Sequence, residues 1–516
     1  MKKVFALMAC MAVLTCCTNK DEPTPNEGEN TPGNETGQPA DPDYVPGPYE
    51  VAPYPEGAFT AESLGHKGIS YIWDESYIPE ITIRMTKDEW NKLLKRYDEF
   101  EKNVDYFHAD ITFKKGDEET VFENAGVRLR GNTSRRRPEG SYGEEHNADN
   151  PDWHHCHFGI NFRKFEKDDE HQLYGIRKLN LKWFKEDPCY VREVYSYNLF
   201  RRYGIWTSAF SSYCRLWIDI EGDKEPAYFG VYNMIEPIDD KYVSRRLNGM
   251  FESNKGNLWK CTFGEGGRAD LRTSKNNFVD EYNKDKFNWD QDNGVNYTYE
   301  FKGDEEDFAD AKAQFVNFLK NLNGKEVSGK TGDAFHTWIS RVFDMEFLLK
   351  TYAVNIAVGM WDGHWGNGNN FYLYFNSLDK DNYKVFMIPY DYDNTLGTSN
   401  SIGIHTDAAR QDPYKWGDCG ILMEKILQYD DFRLIYKNAL KELVDSGNDL
   451  FQMTRSVKRI KLWQENISPF ISNDTGEDMS IYDRPASWST ISTYRVMDTG
   501  SNNFFKVKTQ TINAME

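Results

Sequence analysis

Between residues 18 and 57 the chain is built from Pro, Gly, Asn, Glu and Thr, with almost no aliphatic side chain before Val45. Such a segment cannot bury enough apolar surface to offset the entropy of ordering it. Any packed fold is therefore confined to residues 58–516, and the stretch before it is expected to be a disordered tether. The aromatic content of the whole chain, 14 Trp, 31 Tyr and 32 Phe in 516 residues, is ample for a substantial core. By length alone that body has room for two or three domains.

The tether is preceded by Lys2 and Lys3 and an apolar run from Val4 to Leu14. That run is too short to span a bilayer and suits a signal-peptide core. It ends in Leu14-Thr15-Cys16-Cys17, followed by polar residues, and this is similar to a bacterial lipobox. Cys17, with Leu14 three residues before it, is the expected lipidation site, ahead of Cys16. Residues 1–17 are then a lipoprotein signal peptide and 18–57 the tether. The cluster Lys20-Asp21-Glu22 is similar to surface-export signals of Bacteroidetes lipoproteins. The expected location is extracytoplasmic, anchored by lipid to the membrane, at the outer membrane or cell surface.

A formal net charge of −20 repels polyanions, so no nucleic-acid partner is expected. Five cysteines remain in the body, Cys156, Cys189, Cys214, Cys261 and Cys419. Their number is odd and no C-x-x-C pair occurs, which argues against a zinc knuckle or a thioredoxin-like site. His154, His155 and His157 lack a second ligand cluster and read as a polar strand entrance. Asp290 to Gly294 hints at a calcium loop, but Trp289 stands where the first ligand belongs. Walker, H-E-x-x-H and G-x-S-x-G motifs are lacking.

Residues 58–236 alternate strands with a few helices. Glu80–Met85 has a period of two, and Thr86-Lys87-Asp88-Glu89 forms a capping box for a helix through Trp90, Leu93 and Leu94. Strands are predicted at Ala109–Phe113, Gly126–Arg130, Phe158–Phe162, Lys178–Trp183, Ser212–Ile218 and Tyr228–Ile235. Asp187-Pro188 predicts an N-cap with proline at the first helical position, opening a helix that puts Val191, Val194, Tyr195 and Leu199 on one face. Residues 237–516 read as helix-dominated. Asp344 caps a helix over Met345–Val358, a Gly- and Asn-rich loop runs to Asn370, and a hairpin, Phe371–Phe375 with Tyr383–Pro389, delivers Asp391-Tyr392-Asp393. Two or three amphipathic helices follow within residues 420–470. The fold class is α+β, strand-rich then helical, with acidic loops near the junction.

Phosphoryl transfer needs carboxylates and an amide to hold Mg²⁺, a carboxylate to orient the attacking hydroxyl, and a cation on the phosphates. Asp362 leaves a helix with Asn367 five residues on, and a strand leads to Asp391. The Asp-x-His-x-x-Asn pattern at Asp362 is similar to the catalytic loop of atypical and lipid kinases.

Six segments in order resemble the spore-coat protein H (CotH) kinase family: Gly126–Ser134; Leu179–Lys182; Asp187 with Val191-Arg192-Glu193; Phe229–Tyr232 with Glu236; Asn370–Tyr374; and Ile388–Asp393. The resemblance covers about residues 75 to 450. It implies an atypical, two-lobed protein-kinase fold that uses ATP and Mg²⁺ to phosphorylate Ser or Thr of exported proteins. By that resemblance Asp362 is the catalytic carboxylate. Asp391 is the first metal ligand and Asp393 the second candidate, while Asn367 and Asn370 remain alternatives for the amide ligand. Gly131, Asn132 and Ser134 would cover phosphates, Lys182 would contact phosphate with Glu193 as its ion-pair partner, and Glu236 would join the cofactor site. The chain departs from the family's usual lysine just before the Phe158 strand, where the corresponding stretch is Trp153-His154-His155-Cys156-His157. Two other readings are a catalytically inactive surface binding module or adhesin of the same fold, and a glycan-binding lipoprotein.

Overall fold

The computed structural model describes residues 47–273, 287–288, 296–324, 329–398, 407–484 and 493–516, all within one compact unit, Pro39–Glu516. Cys17 and the Asp290–Gly294 segment lie outside the described residues. The protein is a mixed α+β structure, and its first strands close into a barrel.

The barrel strands are β1 (Glu80–Met85), β2 (Phe107–Lys115), β3 (Glu118–Arg130), β4 (His157–Asn161), β5 (Lys178–Lys182), β6 (Ser211–Ile220) and β7 (Ala227–Ile235), in the order β1-β2-β3-β4-β5-β7-β6. Six neighbouring pairs are antiparallel, and the barrel closes where β1 runs parallel to β6, from Glu80↔Arg215 to Met85↔Ile220. The period of two seen in β1 has its cause here. Ile81, Ile83 and Met85 point into an apolar interior with Ile111, Val127, Phe158, Leu181, Leu216 and Met234. Closure pairs a strand at the start of the segment with one about 130 residues later, which local pattern cannot announce.

Helix α1 (Lys87–Glu99) covers one side of the barrel and buries Trp90, Leu93 and Leu94. Thr86 Oγ1 accepts from Glu89 N at 3.2 Å. The capping box is only half formed, because Glu89 Oε2 accepts from His108 N at 3.0 Å instead of reaching back. The long excursion between β3 and β4 is clamped by a fully buried imidazole. His146 Nδ1 contacts Glu139 Oε2 at 3.0 Å and Nε2 contacts Asp223 Oδ1 at 2.8 Å, while Trp90 Nε1 donates to Glu139 Oε2 at 2.7 Å. Burial works against a charged His146, but the two carboxylates outweigh it and raise its pKa above the ordinary histidine value. That stabilisation is complete below the unfolded-state pKa, near 6.5, and is lost as pH rises through the higher folded value. His146→Leu is therefore expected to cost about 1.5–3 kcal/mol at pH 5.5, the range for hydrogen bonds to charged groups, and less at pH 9. Urea midpoints at the two pH values check this; an equal loss at both would assign the effect to packing.

Helix α2 (Arg192–Arg202) begins later than the sequence predicts. Asp187 does collect N–H donors, from Val191 at 3.1 Å and Arg192 at 2.9 Å. Tyr190, however, sits at φ 60° and interrupts the helical path. All eleven residues of α2 are buried rather than one face. The helix lies inside the larger apolar cluster, surrounded on every side.

A second sheet, of order β12-β11-β8-β10-β9, is formed by β8 (Asn257–Cys261), β9 (Phe287–Asn288), β10 (Tyr299–Phe301), β11 (Phe371–Phe375) and β12 (Val385–Pro389). The β11–β12 hairpin is thus the edge of a sheet whose other strands come from residues 257–301. Helices α3 (Phe308–Asn323), α4 (Met345–Ala357), α5 (Asp430–Val444), α6 (Met453–Ile467) and α7 (Phe504–Asn513) are among the helices of the remainder. Asp344 caps α4 by accepting from Phe347 N at 3.0 Å. Among the described residues no helix is long and apolar enough to cross a membrane, and the five body cysteines are buried free thiols.

Candidate functional site

Three strand ends bring the first side chains together. Arg130 closes β3 opposite His157 at the start of β4, and Lys182 closes β5 opposite Asn233 of β7. Lys182 Nζ lies 3.0 Å from Glu193 Oε2 on α2 and 3.1 Å from Asp393 Oδ2, and it hydrogen-bonds Asp391 Oδ1. Glu193 is fixed independently, because its Oε1 accepts from Tyr392 N at 3.1 Å and its Oε2 from Asn233 Nδ2 at 3.4 Å.

The acidic loop after β12 is held from three sides. Asp391 N donates to Tyr197 Oη of α2 at 3.1 Å. Thr395 Oγ1 lies 3.1 Å from Ser196 Oγ, and Leu396 N donates to Val358 O at 2.8 Å, just beyond α4. Asp391 adopts φ 63°, a left-handed conformation that costs a non-glycine residue about 1–3 kcal/mol and tends to occur at functional sites.

Helix α4 ends at Gly359, whose φ of 72° turns the chain; a Cβ there would meet Phe504 Cζ at 3.0 Å. The turn delivers Asp362 into a ring of amides. Its Oδ1 accepts from Asn367 Nδ2 at 2.7 Å and Asn369 Nδ2 at 3.2 Å; its Oδ2 accepts from Asn370 Nδ2 at 3.1 Å and Asn394 Nδ2 at 3.2 Å. Among the described residues no basic side chain pairs with Asp362. His364, two residues on, is buried and receives Tyr352 at 2.6 Å on Nδ1. Burial pushes its pKa down to about 3, so it is neutral and its role is to hold the loop.

The charges divide unequally. Burial pushes Asp362 up to about 7, a shift to which the fields of Asp393 and Asp391 add and which the amide hydrogen bonds oppose. Burial likewise lifts Glu193 to about 7 and Asp393 to about 6. Burial also acts to raise Asp391, yet Lys182, Lys260 and Arg130 hold it below the usual carboxylate value. Three carboxylates share one ammonium, so the most enclosed, Glu193, is the one that tends to keep its proton. Lys182 stays charged, its pKa well above the ordinary lysine value because its acidic neighbours outweigh burial.

The remaining candidates divide. Gly131 has φ 105°, and a Cβ there would come within 2.7 Å of Ser134 Oγ, so the turn requires glycine. Arg135 Nε donates to Gly131 O at 3.0 Å and Lys185 Nζ to Thr133 O at 3.3 Å. Asn132 is exposed and Ser134 half-buried, and the described contacts of this turn do not reach the carboxylate cluster. Glu236 needs correction as a cofactor ligand. Its carboxylate is completely buried and is taken up by Arg245 at 2.8 Å and Arg246 at 2.6 Å. The sequence reading missed Asn369 and Asn394. The only signal for them was the density of asparagine near Asp362 and Asp393.

Asp391, Asp393 and the asparagine oxygens are hard donors of the kind Mg²⁺ takes, and about a third of each Asp side chain is open to solvent. Among the described residues no group of three or more His, Cys, Asp and Glu is gathered into a protein-only metal cage. Mg²⁺ usually keeps waters and completes its octahedron with substrate phosphates. A groove of about 600 Å³ lies elsewhere, beside α1, and is lined by Tyr97, Phe100, Arg136 and Tyr142 among others. It contains none of these carboxylates.

These features define a mixed α+β protein with a carboxylate, lysine and asparagine cluster at one end of a seven-stranded barrel. Residues 127–498 match the family described as CotH kinase protein, and the chain belongs to that family. It is also similar to Invasin CotH2 of Rhizopus delemar, with 22% identity over 415 residues covering 80% of this chain. The chain spans 59% of that relative's length.

Proposed function

We propose that the protein is a CotH-type phosphotransferase that moves a phosphoryl group from ATP or another nucleotide to Ser or Thr hydroxyls of exported proteins. In this reading the barrel and the helical part correspond to the two lobes of an atypical kinase. The observation that carries it is Asp362, a carboxylate with no cationic partner among the described residues, held by four amides in the field of Asp391 and Asp393. A pKa near 7 makes Asp362 suited to accept a hydroxyl proton at neutral pH. The amides fix its direction, so it can orient the attacking oxygen without first reorganising. Asp391 and Asp393, with Asn367 or Asn370, would hold Mg²⁺, whose chemistry is to neutralise phosphate charge. Lys182 keeps Asp391 ionised and anchored to Glu193. The Gly131–Ser134 turn flanks the donor. Lipidation at Cys17 would tether the enzyme outside the cytoplasm.

The test is titration of the full chain with Mg²⁺ and nucleotides, read by thermal unfolding, with radiolabel transfer to a Ser/Thr-rich acceptor. A ligand at a hundredfold excess over its Kd is expected to stabilise the fold by about 2.7 kcal/mol. Absence of any shift with every nucleotide would reject the reading. A binding module without turnover is favoured by one observation, the name Invasin carried by the fungal relative. It predicts nucleotide binding or surface adhesion with transfer at background level.

A further inference from the structure

Next to the carboxylate cluster stand two cations that form no ion pair among the described residues. Arg130, the last residue of β3, donates from Nη2 to Tyr390 Oη at 3.4 Å. Lys260, on β8 of the other sheet, places Nζ 5.6 Å from the centre of the same tyrosine ring. Both are half-buried. Among the described residues neither pairs with a carboxylate. Glu300, opposite Lys260 across the β8–β10 pair, is in ion-pair contact with Lys302 at 3.2 Å and only in the longer-range field of Lys260. Tyr390 precedes Asp391, so the two cations meet the side chain next to the acidic loop.

This arrangement is unusual for a chain with a net charge of −20, in which carboxylates are abundant. Two like charges brought to one ring from two sheets repel each other, and partial burial removes the water that would screen them. An anion seated between them would relieve both costs. Tyr390 supplies a rigid floor, and its hydroxyl is already oriented by Arg130.

We infer that Arg130 and Lys260, across Tyr390, form a binding site for a polyphosphate anion, the phosphate chain of the donor. The inference rests on the phosphotransferase reading and deepens it. Lys182 is occupied by three carboxylates and serves as the internal counter-ion, while Arg130 and Lys260 are the cations that face the phosphates. A guanidinium and an ammonium differ in geometry. Arg130 can grip two oxygens of one phosphate, whereas Lys260 acts as a point charge.

The test uses the full chain and inorganic tripolyphosphate, followed by calorimetry and thermal unfolding, with and without Mg²⁺. Arg130→Gln and Lys260→Met are each expected to weaken tripolyphosphate and ATP binding at least tenfold, with the unliganded protein still folded and its melting temperature not lowered. Lys260→Arg, which keeps the charge and the apolar stem, is expected to bind as the wild type does. If Lys260→Arg fails as Lys260→Met does, packing rather than charge is at work and the assignment falls. If the wild type and both neutral variants bind equally, the phosphates lie elsewhere; the inference is overturned while the phosphotransferase reading stands. If the wild type binds neither tripolyphosphate nor nucleotide, both are overturned.

Discussion

Lys182→Met lowers the unfolding free energy by about 3–5 kcal/mol at pH 8, the usual cost of removing one partner from a buried ionic group. The methionine stem fills the space, so the loss measures charge. Without the ammonium, Glu193, Asp391 and Asp393 are left as three close acids, the first buried and the other two about a third open to solvent. Protons can take the place of the missing cation. Already in the wild type Glu193 and Asp393 titrate near 7 and 6. A carboxylate raised above its unfolded value contributes stability that is complete below the unfolded pKa and lost as pH rises through the folded one. In the variant those values climb further, so its deficit is expected to shrink on going from pH 8 to pH 5. Lys182 itself titrates only at strongly alkaline pH, so it stays charged across that window. Guanidinium midpoints of both proteins at pH 5 and pH 8 measure it. An equal deficit at the two values would mean that the lysine contributes packing and not charge.

Much of the local structure was legible because it is driven by local chemistry. Thr86 and Asp344 cap the helices that follow them, and the alternation in β1 reports one wet and one dry face. The Asp362 loop was visible as a helix exit rich in glycine and asparagine, and Lys182 and Glu193 stood out as opposite charges on a strand and the next helix. What escaped depends on partners distant in sequence. Barrel closure by β1 and β6 joins segments with no shared pattern. Strands β8 to β10 carried too few residues to compete with the helical reading around them. Glu236 sits in a segment similar to the family's, yet its geometry makes it the anion of a buried pair with Arg246, ten residues on; a buried structural acid and a ligand-facing acid look alike in one dimension. Asn394 reaches Asp362 from 32 residues away. The late start of α2 follows from Tyr190 adopting positive φ, for which a tyrosine gives no warning.

Asp362→Ala and Asp391→Ala should separate rate from binding. Asp362 acts on the incoming hydroxyl, so its removal is expected to lower phosphoryl transfer by about 10²–10⁴-fold, the range for a positioned acid–base group, with nucleotide affinity nearly unchanged. At pH 8 the stability lost by leaving four amide donors without their acceptor is offset in part, because burial makes the Asp362 carboxylate a destabilising charge there, its contribution being lost as pH rises through about 7. The wild-type rate should fall below pH 7 as Asp362 takes up its proton, and that limb should be missing from any residual activity of the variant. Asp391 differs in kind. It is the carboxylate that stays ionised, held by Lys182, Lys260 and Arg130, and it is the donor set's strongest anion for Mg²⁺. Asp391→Ala is therefore expected to abolish Mg²⁺-dependent nucleotide binding and activity together. Affinity and single-turnover rate, measured for both variants, keep the two effects apart. Transfer that survives Asp362→Ala undiminished would put the proton acceptor on another residue. Nucleotide binding that survives Asp391→Ala with its Mg²⁺ dependence intact would move the metal to the Asp393 side of the loop.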